Sequence, residues 1–139
     1  MYGQALGKAL NAEINWASDT IKVALCTSSY TPNQDTHDYF DDITNEVTGT
    51  GYTAGGATLT SKTLGYTTGT NVTKLSAANA QWAASTITAR YAVIYDATPG
   101  TNATRPLIAY VDFGSDQSTS STTFEIVWNA SGILEITAT

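Results

Sequence analysis

The chain has few charged residues, one cysteine, three prolines and no long hydrophobic run. Charged side chains make up 13% of its 139 residues, well below the share in an average globular protein. The single Cys26 excludes an internal disulfide and a multi-cysteine zinc site, and its apolar surroundings predict a small buried side chain. Because no stretch of 18 apolar residues occurs, we expect no membrane span. Residues 1–16 also lack the features of a secretory signal, so we expect synthesis in the cytoplasm without an export address.

Basic residues are also scarce. Six Lys and Arg stand against 12 Asp and Glu, which gives a formal net charge of -6 and a pI near 4.4. The six cations are scattered along the chain rather than clustered. Such a chain repels phosphate backbones and anionic headgroups, so we expect neither nucleic acid nor a membrane as a partner.

Threonine is abundant, whereas charged residues are scarce. The chain contains 25 Thr, a residue whose branched side chain suits a pleated and half-exposed surface. With 42% hydrophobic residues the chain can enclose one core, and its length suits a single domain over residues 1–139. These features predict a β-rich globular domain.

The first 16 residues differ from the rest of the chain. Apolar residues recur at helical spacing over residues 4–14, which predicts a short amphipathic helix in an N-terminal helical segment, 1–16. Residues 20–27 then alternate between two faces, as in a half-buried strand, and open a β-sandwich spanning 20–139. In residues 30–43, Thr36 is expected to cap a brief helix.

Three hairpins are predicted in the remainder. The first joins strands 58–66 and 71–75, the second joins 88–96 and 107–113, and the third joins 122–128 and 133–137 across a turn ending at Gly132. About seven short strands with turns between them favour an all-β fold, an antiparallel β-sandwich or a jelly-roll-like small barrel with a short N-terminal helix. Strand 88–96 is apolar on both faces, so it is buried on two sides or lies in an interface, which favours an oligomer.

One acidic segment is a candidate metal site. It contains four carboxylates and the only histidine: Asp35, His37, Asp38, Asp41 and Asp42. The spacing lacks the alternation, central glycine and distal glutamate of an EF-hand, so helix capping by Asp35 is the favoured interpretation. No serine in a GxSxG motif accompanies His37, so a catalytic triad is not expected. The other carboxylates lie mostly in turns, which does not favour a glycosidase pair. We therefore predict no catalytic residue, no metal, no cofactor and no enzyme activity.

Residues 21–64, 82–96 and 106–118 carry a resemblance that spans nearly the whole chain. They include the runs IKVALCTSSYTPNQDTHDYFDDI, WAASTITARYAVIYD and PLIAYVDFGSDQS. In these runs the chain resembles a family of small virion structural proteins of tailed bacteriophages. The resemblance implies a particle component, and the preferred role is a capsid decoration (cement) protein on the outer surface of the shell.

That role implies two partners, the major capsid protein and other copies of the chain in a homotrimer or homodimer. Binding alone would then stabilise the shell, with many weak contacts acting together. The side chains expected at the contact are Tyr2, Leu6, Leu10, Trp16, Tyr39 and Phe40. Two alternatives remain open: a glycan-binding module on a tail, baseplate or fibre, which would use exposed aromatic residues, and a small hydrolase.

Overall fold

Nine β-strands and one short α-helix form the regular structure of the chain, in a computed structural model that describes all of residues 1–139. The helix is α1 (Ala5–Leu10), and the strands are β1 (Ile21–Cys26), β2 (Ala57–Thr58), β3 (Thr63–Thr67), β4 (Val72–Ser76), β5 (Ala80–Ser85), β6 (Thr88–Asp96), β7 (Leu107–Ser118), β8 (Thr122–Ile126) and β9 (Leu134–Thr137). Two single 3₁₀ turns lie at Phe40–Asp42 and Asn102–Thr104.

The strands form three antiparallel sheets. The largest has the order β2-β1-β6-β7, the second has the order β3-β4-β9, and the third pairs β5 with β8. This arrangement confirms the predicted all-β, sandwich-like fold with antiparallel sheets and a short N-terminal helix.

Strand β6 lies at the centre of the fold, between two hydrophobic clusters. Ala92 and Ile94 belong to the larger cluster, whereas Val93 and Tyr95 belong to the smaller one. Successive side chains of a strand point to opposite faces, so one strand can supply both clusters. The two apolar faces noted in the sequence are therefore covered within a single chain, and they do not require an oligomer.

The larger cluster joins the four-stranded sheet to the β5-β8 pair. Trp82 of β5 meets Phe124 of β8 edge to face, with ring centroids 5.9 Å apart, and both rings belong to the same cluster as Ile94. Each large apolar side chain buried in this way contributes about 1.5–3 kcal/mol to stability. This layer of side chains holds the two sheets together.

Two of the three predicted hairpins are confirmed, and the third is wrong. Strand β3 pairs with β4, and β6 pairs with β7. The predicted strand 58–66 is divided, however, because Ala57–Thr58 forms β2 in the largest sheet and only Thr63–Thr67 forms the hairpin with β4. In contrast, β8 pairs with β5, and β9 pairs with β4. The predicted turn does form, since Gly132 N donates to Asn129 O at 2.8 Å, but the chain leaves it toward another sheet. Gly132 has φ +91°, and an added Cβ there would lie 2.5 Å from the Leu75 carbonyl oxygen. The turn is thus shaped by its contact with β4.

The helical predictions were too long. Helix α1 ends at Leu10 rather than at residue 14, because Ala12 has φ +61° and turns the chain out of the helix. The helix expected after Thr36 is reduced to the single 3₁₀ turn Phe40–Asp42.

The glycine-rich segment before β2 crosses very close to strand β1. Gly56 has φ +72°, and an added Cβ would lie 1.8 Å from the carbonyl oxygen of Val23. Only glycine fits this contact without movement of the backbone. The approach allows Ala57 and Thr58 to pair with Val23 and Lys22 at the edge of the sheet.

Candidate functional site

An apolar groove lies between helix α1 and the β3-β4-β9 sheet. Its volume is about 400 Å³, and 12 of its 14 lining residues are hydrophobic. The helix side is formed by Met1, Ala5, Leu6 and Ala9, and the strand side by Leu64, Leu75, Leu134 and Ile136. We call this surface the apolar groove.

The register of the sheet explains why its strands present one apolar face. Leu64, Leu75 and Leu134 lie side by side in one row across the three strands. The next row on that face contains Tyr66, Thr73 and Ile136, each two positions from the first row on its own strand. Because side chains alternate across a strand, these two rows share a face.

Several large side chains in and beside the groove are exposed to solvent. Leu10 is 80% exposed, Leu64 is 60% exposed and Leu6 is 42% exposed. Leu6 and Leu10 are four residues apart on α1 and therefore lie on one side of the helix. Exposed apolar side chains that line one groove, as Leu6 and Leu64 do, are typical of a contact site for another molecule.

Three of the six expected contact residues are buried, so the expectation that they offer exposed apolar surface is wrong. Tyr2 is fully buried in the smaller cluster with Phe40, and Trp16 is buried in the larger one. Of the others, Leu6 and Leu10 are exposed and Tyr39 is half-buried. The six residues therefore do not form one surface, and sequence reasoning missed Leu64, whose exposure depends on how the sheets assemble.

Tyr2 attaches the N-terminal segment to the body of the protein. Its hydroxyl lies 2.9 Å from that of Tyr30, which in turn lies 3.0 Å from His37 Nδ1. Burial raises the pKa of Tyr2, and it raises that of Tyr30 to about 12. Both phenols therefore stay protonated at neutral pH and can donate hydrogen bonds. His37 is a partner of this tyrosine pair rather than of a serine.

The acidic segment is tied down by contacts within the protein. Asp38 accepts a hydrogen bond from buried Lys8 at 3.1 Å, and the Lys8 ammonium lies 3.0 Å from the centre of the Tyr39 ring. Asp42 accepts the backbone N–H of Asp38 at 2.8 Å. No group of three or more His, Cys, Asp or Glu side chains is placed to hold a metal ion.

One buried carboxyl lies at the end of β6. Asp96 is 1% exposed, its Oδ1 accepts the Thr98 N–H at 2.8 Å, and its Oδ2 has no hydrogen-bond partner. Burial raises the pKa of Asp96, and the neighbouring Asp19 carboxyl raises it further. Asp96 therefore keeps its proton to a higher pH than an ordinary aspartate.

The fold and the groove define an all-β protein with a short helix and an exposed apolar groove. No protein-family model, curated protein or solved structure matches the chain. No helix is both long enough and apolar enough to cross a membrane.

Proposed function

We propose that the chain is a structural protein of a tailed-phage particle, a decoration protein that binds the outer surface of the capsid shell. The observation that carries the proposal is the apolar groove with its exposed leucines. The resemblance of residues 21–64, 82–96 and 106–118 to small phage virion proteins supports the same assignment.

The groove supplies the contact in this proposal. Apolar side chains of the major capsid protein would enter between α1 and the β3-β4-β9 sheet and cover Leu10 and Leu64. Burying one leucine contributes about 1.5–3 kcal/mol, so two or three such contacts give a modest affinity for each copy. A shell carries many copies, and their summed free energy resists the pressure of packaged DNA.

Two exposed residues allow a matched test. Leu10→Ser removes an exposed apolar side chain that lies beside the groove, one helical turn after the lining residue Leu6. Val127→Ser removes one that is 69% exposed and lies after β8, away from both α1 and the groove lining. Neither change disturbs a buried contact, so both variants should fold. We expect Leu10→Ser to weaken binding about tenfold, the effect of losing roughly 1.4 kcal/mol, and Val127→Ser to bind like the wild type.

The assay is co-sedimentation with DNA-free expanded shells of the phage that encodes the chain, followed by electron microscopy. Regular density on the shell exterior, lost with Leu10→Ser, would support the proposal. If the protein bound tails and not shells, decoration would be refuted and a host-binding module favoured. Equal binding by Leu10→Ser and the wild type would refute a contact that covers Leu10 beside the groove.

A further inference from the structure

Most free strand edges of the protein are protected against pairing with another chain. Strand β2 has only two residues. Strand β7 carries the charged residues Asp112 and Asp116, and Gly114 at φ +80° interrupts its regular backbone. At the start of β7, Ile108 O accepts the Tyr2 N–H and the Leu107 N–H donates to Asp38 O. Strands β8 and β9 carry the charges of Glu125 and Glu135. Short length, charge and irregular backbone are the usual means of preventing edge-to-edge association.

Strand β3 has none of these protections. Its five residues, Thr63–Thr67, include no charge and no proline, and all five are exposed. Its register with β4 runs without a bulge from Thr63 to Thr67. On its outer side, the one side-chain contact with its backbone is Trp16 Nε1, which donates to Thr63 O at 3.0 Å. Trp16 therefore occupies one carbonyl oxygen at the start of this edge, and the backbone from Leu64 to Tyr66 remains a regular edge that another strand can extend.

The sequence of β3 is self-complementary around its central glycine. In an antiparallel pair of two β3 strands centred on Gly65, Thr63 faces Thr67 of the second copy, and Leu64 faces its Tyr66. Leu64 and Tyr66 are 60% and 57% exposed, and both lie on the apolar face of the sheet. Cross-strand aromatic and aliphatic pairs of this kind stabilise sheets. The pairing would cover the two largest exposed side chains of the strand.

The charges near this edge permit the pairing. Gly65 lies beside Lys74 of β4, which lies opposite Glu135 of β9, so this row of the sheet is electrically neutral. The two copies of Lys74 would be three strand spacings apart, roughly 14 Å, which exceeds the screening length in physiological salt. No like charges face each other across the axis.

We propose that β3 pairs with β3 of a second copy of this chain across a two-fold axis at Gly65, forming a continuous six-stranded sheet. The proposal is independent of the phage assignment. A five-residue strand spans roughly 17 Å, and the contact area is far below the ~800 Å² per partner of a standard stable interface. The dimer is therefore reversible in solution and depends on concentration.

Gly65 permits a direct test, because it faces its own copy in the proposed pair. Opposed residues in an antiparallel pair have Cβ atoms about 4.5–5.5 Å apart, and a disulfide needs about 3.5–4.5 Å, so a shift of about 1 Å brings two opposed cysteines within bonding distance. An added Cβ meets nothing within 4 Å at Gly65, nor at Gly69 in the β3–β4 turn. Gly65→Cys should form a disulfide-linked dimer on mild oxidation, and the control Gly69→Cys should not. The native Cys26 is buried and does not interfere.

A second measurement uses charge. In sedimentation experiments up to about 1 mM, the wild-type mass should rise with concentration toward that of a dimer. Gly65→Lys and Gly65→Glu should each remain monomeric, and an equimolar mixture of the two should associate again, because opposite charges then face each other. Gly69→Lys should behave like the wild type.

Several results would overturn the proposal. In sedimentation, these are a wild-type protein that stays monomeric at every concentration, a trimer in place of a dimer, or a Gly65→Lys variant that associates like the wild type. In crosslinking, the contradicting result is an equal yield of disulfide-linked dimer from Gly65→Cys and Gly69→Cys.

Discussion

Replacing Gly56 by alanine tests the close approach of the glycine-rich segment to β1. The left-handed backbone at φ +72° costs about 1–2 kcal/mol for a residue with a Cβ. The added Cβ would also lie 1.8 Å from the Val23 carbonyl oxygen, and moving backbone to relieve such overpacking costs about 1–3 kcal/mol. We therefore expect Gly56→Ala to lower the free energy of unfolding by about 2–5 kcal/mol.

The expected change in melting temperature follows from the chain length. An unfolding entropy of about 2.1 cal/mol/K per residue gives roughly 290 cal/mol/K for 139 residues. The melting temperature should then fall by roughly 7–17 °C, measured by calorimetry or circular dichroism.

Gly7→Ala is the matched control. Gly7 lies within α1, and an added Cβ meets nothing within 4 Å. The same chemical change should therefore stabilise the protein by about 0.5–1 kcal/mol, because alanine favours the helix. If Gly56→Ala unfolded within about 0.5 kcal/mol of the wild type, the contact between Gly56 and β1 would be refuted.

Two further predictions concern buried ionisable groups. The pKa of Asp96 is higher in the folded state than in the unfolded state. Between these two pKa values the folded state binds more protons, so the free energy of unfolding falls as the pH rises through that interval. Asp96→Asn removes this contribution, and urea unfolding at a series of pH values should show a smaller fall than in the wild type; equal slopes would contradict the assignment. Burial raises the pKa of Cys26 to about 12, so this thiol should react with alkylating reagents only after unfolding. Mass spectrometry of the native protein after exposure to reagent checks this, and rapid labelling would contradict it.

Local patterns predicted individual strands better than their pairing. Strand β6 has the bounds that its β-branched and aromatic sequence predicts, Thr88–Asp96. The sequence around Gly132 also predicts a turn, and a turn forms there. It did not reveal that β9 joins β4 and that β8 joins β5, because the paired residues lie 37 to 65 positions apart in the chain. Tight turns are encoded nearby, whereas the order of strands in a sheet is decided by packing.

The sequence predicts the exposure of side chains in the N-terminal segment only in part, for the same reason. Helical periodicity identified Leu6 and Leu10 as an apolar stripe, and both are exposed. Periodicity does not distinguish a stripe that meets solvent from one that meets the core. Tyr2 and Trp16 belong to the same segment, yet one enters the smaller cluster and the other the larger. Leu64 lines the groove through its place in a row with Leu75 and Leu134, which depends on the pairing of three strands.

The position of β6 beside β1 has a consequence during synthesis. Ile21 pairs with Asp96 and Cys26 pairs with Tyr91, so the first strand needs a partner that is made 65 to 75 residues later. At about 5–20 residues per second, the ribosome completes β6 roughly 3–15 s after β1. During that time the apolar IKVALC segment has neither its neighbouring strand nor the layers that cover it. The nascent chain therefore passes through an aggregation-prone interval, and chaperones that shield short apolar segments should act on it then.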